Sequence, residues 1–208
     1  MHNILVAGAH GKIGKKVISL LTSSQYFTPV AMVRKKEYYE DFKSQNVKAV
    51  LADLTENVAH ALKNIDKVIF AAGSGGENLI AVDQEGAKNL IREASKAGVK
   101  KFVMLSSLGA ENPEESDELQ EYLKAKHNAD EFLKQSGLNY TIVRPGTLND
   151  NPGKGTIKLE SKLSEPGEIS RDDVAQTLVR ALHDDAPNEV VFEIIQGNTL
   201  IGEAIDSI

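Results

Sequence analysis

Gly8, Gly11 and Gly14 stand three residues apart, the spacing of a phosphate-binding loop. Each glycine has a physical task in such a loop: a tight turn, close approach of the backbone to a pyrophosphate, and close packing of a helix on a strand. A short apolar run, Ile4 to Ala7, leads into the loop, and a stretch of helical period leaves it at Lys12. A helix that opens there turns its unpaired N–H groups and the positive end of its dipole toward the phosphates. His10, Lys12 and Ile13 fill the gaps between the glycines and share the expected contact with the ligand. The next apolar run ends at Arg34, followed by Lys35 and Lys36, and the first acid is Glu37. A carboxylate at the end of this second strand would bond the ribose 2′-hydroxyl of NAD, whereas an arginine suits a 2′-phosphate. The motif therefore predicts a dinucleotide site, with NADP(H) preferred over NAD(H).

A second pattern, Tyr122 and Lys126, sets a phenol and an ammonium one helical turn apart on one face. Tyr39 and Lys43 repeat the spacing and are read as accidental; Tyr122 is favoured by its helix, which follows the strand ending at Ser106 and Ser107. Other chemistries are closed. The chain has no cysteine, which excludes disulfides, thiolate nucleophiles and cysteine-held metals. Its five histidines are scattered without a helical metal-binding pair. The serine-hydrolase elbow is missing as well. A formal net charge of -6 opposes a general grip on nucleic acid or an anionic membrane, so an anionic ligand needs local dipoles and a few placed cations. The first apolar run is too short for a signal peptide, and no stretch reaches the length of a membrane span. The composition predicts a cytoplasmic protein that acts on a small molecule, with no nucleic-acid or membrane partner.

These residues need a frame to hold them. Apolar runs rich in β-branched residues predict strands at Asn3–Ala7, Val30–Val33, Val47–Ala52, Lys67–Ala72, Lys101–Ser106, Tyr140–Val143 and Val190–Ile195. Helical period predicts helices at Lys12–Ser23, Lys36–Ser44, Val58–Lys63, Asn78–Ala97, Asp117–Gln135 and Arg171–Asp184. Ser170 with Asp173 resembles a capping box at the start of the last of these. Such alternation points to βαβ units: an α/β fold, doubly wound, with a parallel sheet of about seven strands and helices on both faces. The 208 residues read as one dinucleotide-binding domain. Within it, 147–208 form a small C-terminal part over the substrate side, and the Pro- and Gly-rich stretch from Thr147 to Ile169 reads as a ligand cover or a plain surface excursion with a short hairpin.

With those residues in hand, the chain resembles the short-chain dehydrogenase/reductase superfamily, in particular its atypical members related to NAD(P)-dependent epimerase/dehydratases. The resemblance runs through nearly all of the chain. It rests on the glycine loop, Asp53 and Leu54, Ala71 to Gly73, Asp83 to Gly86, Val103 to Ser107, Tyr122 with Lys126, and Val143 to Gly146. It implies a Rossmann sheet of order 3-2-1-4-5-6 with a seventh strand added. Asp53 and Leu54 would border the adenine, and Ala72 and Gly73 the adenosine ribose. Pro145 and Gly146 would turn the chain beside the nicotinamide.

The resemblance also implies the catalytic roles. Ser107 would polarise the substrate oxygen, Tyr122 would exchange the proton, and Lys126 would hold the nicotinamide ribose and favour the phenolate. One position departs from the superfamily: Asp83 stands where an asparagine is usual, and an ionised carboxylate donates no hydrogen bond. The expected activity is an NADP(H)-dependent oxidoreductase or epimerase of a small alcohol or carbonyl, or of a quinone- or flavin-like ring. The alternative is a regulatory or scaffold protein that reads NADP(H) without turnover. Homo-oligomers are common in this superfamily, so self-association is a further expectation.

Overall fold

Strand β1 (His2–Ala7) is fully buried from Ile4 onward, as fits a strand covered on both faces. Its side chains alternate between two cores. Ile4 and Val6 face a layer built by α1 (Lys12–Thr22), α2 (Lys36–Ser44), α5 (Arg171–Arg180) and α6 (Ile201–Asp206). Leu5 and Ala7 face the layer of α3 (Ala87–Lys96) and α4 (Gln120–Lys134). The period of two in the strand and the helical period of Val17, Ile18 and Leu21 on α1 thus meet in one packed interface. The computed structural model describes every residue except Ser74, Gly76 and Glu77.

The other strands are β2 (Phe27–Val33), β3 (Lys48–Leu51), β4 (Lys67–Phe70), β5 (Lys101–Leu105), β6 (Tyr140–Pro145), β7 (Thr147–Asn149), β8 (Thr156–Glu160), β9 (Glu168–Ser170), β10 (Val190–Gln196) and β11 (Thr199–Leu200). The main sheet runs β11-β8-β10-β6-β5-β4-β1-β2-β3. From β3 to β10 every pairing is parallel. The expected order 3-2-1-4-5-6 is therefore present, with β10 as the added seventh strand. Two strands exceed the expected seven: β8 pairs antiparallel with β10, and β11 with β8. β8 lies inside a Pro- and Gly-rich stretch, and burial of Ile157 makes it a strand despite those turn residues. A separate parallel pair, β7 with β9, stands next to it.

Chain order reverses between β1 and β4, which both leave the centre of the sheet, and the glycine loop follows β1 there. That is the switch point at which open α/β sheets bind ligands. Two expected helices differ in form. Val58–Lys63 contracts to a single 3-10 turn, Ala59–Leu62. Asn78–Ala97 divides into a π-helix, Leu79–Gly86, followed by α3. The wider winding carries Asp83 inward to 2% exposure. Gly86 permits the close approach, since a Cβ there would lie 2.9 Å from the Leu54 Cβ. At the opposite edge, Lys67 donates to the Leu182 carbonyl (2.5 Å) and Lys101 to the Ala186 carbonyl (3.0 Å). These two buried ammonium groups satisfy carbonyls beyond the end of α5, which stops at Arg180, short of the expected Asp184. Among the described residues no helix is long and apolar enough to cross a membrane.

Candidate active site

The loop after β1 is shaped by what it leaves out. Gly8 has φ +80°, and a Cβ on it would come within 2.6 Å of the Ala72 backbone. A Cβ on Gly14 would overlap the Gly8 carbonyl oxygen. Gly11 N–H donates to that same oxygen (2.9 Å), and Gly11 then serves as N-cap of α1, where among the described residues no side chain caps the helix. The result is a bare backbone cradle at a helix N-terminus, which fits the pyrophosphate of a dinucleotide.

Two cavities open on either side of this cradle. The first, about 300 Å³, lies between the ends of β1, β2 and β3 and is lined by Gly8, His10, Gly11, Arg34, Asp53, Leu54, Ala72 and Gly73. Every one of these was marked by the sequence. The geometry adds Tyr38 from α2, whose ring stacks on His10 with centroids 3.4 Å apart and planes 7° apart. Burial, and then Lys15, hold the His10 imidazole below its ordinary pKa. Lys35 Nζ lies 5.5 Å from the Tyr38 centroid. No spacing rule points to Tyr38: the stack joins a loop and a helix that are distant in sequence. Asp53 accepts from the Thr55 N–H (2.9 Å) and hydroxyl (2.7 Å), and it faces Arg34 Nε at 4.0 Å. The Thr55 N–H is the main reason its carboxyl is held below the usual range.

The second cavity, about 520 Å³, lies over the ends of β1, β4 and β5. Lys12, Ile13, Asp83, Tyr122 and Lys126 line it together with Ser106, Leu105, Leu119, Leu148 and Arg171. Lys126 Nζ is 3.5 Å from Asp83 Oδ1 and 5.6 Å from the centre of the Tyr122 ring. The side chains of Lys126 and Asp83 are buried, at 6% and 2% exposure. A Cβ on Gly73 would sit 3.2 Å from Asp83 Oδ1, so the loop after β4 closes directly on this pair. Asp83 is thus the counter-ion of Lys126, a role that needs no donated hydrogen bond.

Three marked residues sit elsewhere. Gly14 lies beneath the loop. Pro145 ends β6, fully covered, and its carbonyl accepts from the Leu108 N–H (2.9 Å). Ser107 is half-buried outside the lining, with its hydroxyl donating to the Leu108 carbonyl (3.3 Å). Its neighbour Ser106 lines the cavity instead and donates to Asp130 Oδ2 (2.8 Å). Both serines follow the end of β5 at Leu105, and of the two it is Ser106 that lines the cavity.

Below Ser106 is a buried ionic group that the sequence did not suggest. Asp130 follows Tyr122 and Lys126 at the next helical turn, and Arg144 Nε donates to its Oδ2 (3.0 Å). Arg144 Nη1 also reaches Glu111. Burial raises the Asp130 pKa, and Arg144 opposes that shift. Among the described residues, the buried atoms Asp130 Oδ1 and Arg144 Nη2 have no hydrogen-bond partner. The run Tyr122, Lys126, Asp130 was a readable signal, a polar stripe on a helix with an otherwise apolar inner face.

The chain as a whole has counterparts among known proteins. Residues 8–185 match the family described as NAD(P)H-binding. The chain belongs to that family. An uncharacterized sugar epimerase, YhfK, of Bacillus subtilis (strain 168) is 41% identical over 210 residues, covering 97% of this chain and 98% of its own. Among solved structures, a Bacillus halodurans protein named for the NAD-dependent epimerases/dehydratases superposes with a TM-score of 0.95 at 36% identity, over the whole of both chains. ChuY, an anaerobillin reductase from Escherichia coli O157:H7, gives 0.84 at 25% identity over 94% of this chain and 98% of that one. The NAD(P)H-binding assignment, the Rossmann-type fold and the kinship with epimerases and reductases thus stand together.

Proposed function

We propose that this NAD(P)H-binding protein is an NADP(H)-dependent oxidoreductase of a small carbonyl or alcohol, planar quinone- or flavin-like rings included, with Tyr122 as its acid/base group. The observation that carries the reading is the meeting of Tyr122, Lys126 and Asp83 in the wall of a cavity that begins at the glycine cradle. The bound nicotinamide supplies or accepts the hydride. The chain's own residues do the rest. Tyr122 gives its phenolic proton to the substrate oxygen in reduction and takes it back in oxidation. The Lys126 ammonium stabilises the negative charge that grows on the phenolic oxygen as the proton leaves. Asp83 holds Lys126 in place, and Ile13, Leu105, Leu119 and Leu148 form an apolar wall that excludes water.

That wall favours reduction of a planar apolar molecule over epimerisation of a sugar. Sugar hydroxyls need hydrogen-bond partners; the four apolar side chains offer none, and Asp83, Lys126, Ser106 and Lys12 are already paired with one another or with neighbouring carboxylates. The reductase ChuY, similar over nearly its whole length, supports the same choice. For the cofactor, Arg34 and Lys35 border the adenosine cavity and suit a 2′-phosphate, which favours NADP(H).

The test is Tyr122→Phe, assayed by NADPH oxidation with 9,10-phenanthrenequinone and by calorimetric titration with NADP+. Turnover is expected to fall roughly 10²- to 10⁴-fold while NADP+ affinity holds. Turnover equal to wild type would remove Tyr122 from the mechanism. Cofactor binding with no turnover in either protein would favour a sensor that reads NADP(H).

A further inference from the structure

The second cavity contains a cation that proton transfer does not use. Arg171 is the first residue of α5, directly after β9, and the parallel pairing of Asn149 with Ser170 sets Asp150 beside it. Asp150 accepts from Arg171 Nη1 (2.8 Å) and from Lys12 Nζ (2.7 Å) at once. The Lys12 hydrogen bond, with Arg171 adding to it, holds the Asp150 carboxyl below the usual range. Both cations line the cavity, and their shared carboxylate does not.

We propose that Arg171, assisted by Lys12, anchors an acidic group of the substrate, so that the molecule taken up is a planar apolar body bearing a carboxylate or similar anion. This rests on the reading that the second cavity receives the substrate. Three features support it. First, the side chain of Arg171 is 20% exposed, whereas that of Asp150 is 59% exposed. An anion inside the cavity would therefore meet the guanidinium in a drier setting than Asp150 does, where the attraction is stronger. Exchanging one carboxylate for another costs little, because exposed ion pairs contribute little to stability. Second, the guanidinium fork has capacity left: among the described residues its hydrogen bond to Asp150 is the one it makes, through Nη1. Third, the apolar side chains that share the cavity, Leu119 and Leu148 among them, suit the ring of the same ligand. With a formal charge of -6 the chain repels anions at long range, so an acidic substrate must be caught by placed cations such as these.

The probes are 2-naphthoate and 2-naphthamide, one ring with and without the charge, titrated calorimetrically into the protein saturated with NADP+. Naphthoate is expected to bind about tenfold more tightly than the amide. Arg171→Gln should bring the two affinities together. Asp150→Asn, which removes the competing carboxylate, should tighten naphthoate alone. Equal affinities in the wild type, a preference that survives Arg171→Gln, or no binding of either ring would overturn the proposal. So would a loss of NADP+ affinity in Arg171→Gln with the naphthoate preference unmoved, which would assign the cation to the dinucleotide. Failure of the wild type to bind NADP+ is a separate result that counts against the cofactor reading. The two probes are then compared on the protein without dinucleotide, where Arg171 is judged by the same ratio.

Discussion

Where the first cavity meets the glycine cradle its surface is main chain, at Gly8, Gly11, Ala72 and Gly73, with the side chains of His10, Arg34, Tyr38 and Asp53 around it. Around the second, an apolar wall of Ile13, Leu105, Leu119 and Leu148 is joined by ionised side chains held in pairs, Asp83 with Lys126, and Lys12 and Arg171 with Asp150 behind them. Beneath that end, Asp130 and Arg144 form a further pair, with no counterpart under the first cavity among the described residues. A backbone surface is fixed by sterics and fails when atoms are added. A network of charges is fixed by mutual compensation and fails when one partner is removed.

The sharpest break in the charge-built end is Arg144→Met. It leaves Asp130, fully buried, without its cation, at a cost of about 3–5 kcal/mol in urea unfolding. Pairing it with Asp130→Leu should recover most of that loss, since a buried ion pair is often replaced by apolar groups without penalty. If the double variant is no more stable than the single one, the pair does not act as a unit.

On the backbone-built end the corresponding break is Gly8→Val. A side chain would have to adopt φ +80° and push against the Ala72 backbone, which β4 holds rigidly through the Ala71 N–H to the Ala7 carbonyl (2.9 Å). Strain and overlap together are expected to cost about 3 kcal/mol, read as lost stability and as lost NADP+ affinity by calorimetry. Intact binding in Gly8→Val would mean that the cradle does not approach the cofactor.

The same contrast explains what the sequence revealed. The parallel sheet and the glycine loop were legible because sterics act locally: β-branched runs, glycine spacing and the end of β2 are all properties of neighbouring residues. Asp83 was legible as a position but not as a role, since its partnership with Lys126 depends on a π-helix that periodicity does not announce. Tyr38 and Arg171 act through contacts that only tertiary packing creates, whereas Asp130 continued the readable Tyr122–Lys126 stripe on α4. The choice between Ser106 and Ser107 depended on the path of the chain beyond the end of β5, which brings Ser106 to the cavity. β8 was missed because its turn-rich flanks outweighed Ile157, which is buried once β10 and α6 pack on it; β11 is two exposed residues with no apolar run to read.

Discrimination between cofactors should be a smaller effect. Arg34→Ala removes a cation that suits the 2′-phosphate, and the preference for NADPH over NADH should fall about tenfold, or ~1.4 kcal/mol, in paired fluorescence titrations. An unchanged ratio would leave Lys35 as the group that reads the phosphate.

The finest test places a charge-built element within the backbone-built end. Asp53 lies 4.0 Å from Arg34, so its carboxylate competes with a 2′-phosphate for the same guanidinium. The Thr55 N–H keeps that carboxyl below its ordinary range, and the competition therefore persists at every pH where the protein is handled near neutrality. Asp53→Asn retains an oxygen for the two Thr55 hydrogen bonds while removing the charge. Because the pair is partly exposed, the expected gain is small: about 0.3–1 kcal/mol in NADPH affinity, with NADH affinity unchanged. Raising the salt concentration should shrink that gain. A gain for both cofactors would mean that Asp53 opposes the adenosine itself. No gain for either would mean that Arg34 is not shared, and that the adenosine end is governed by its main chain alone.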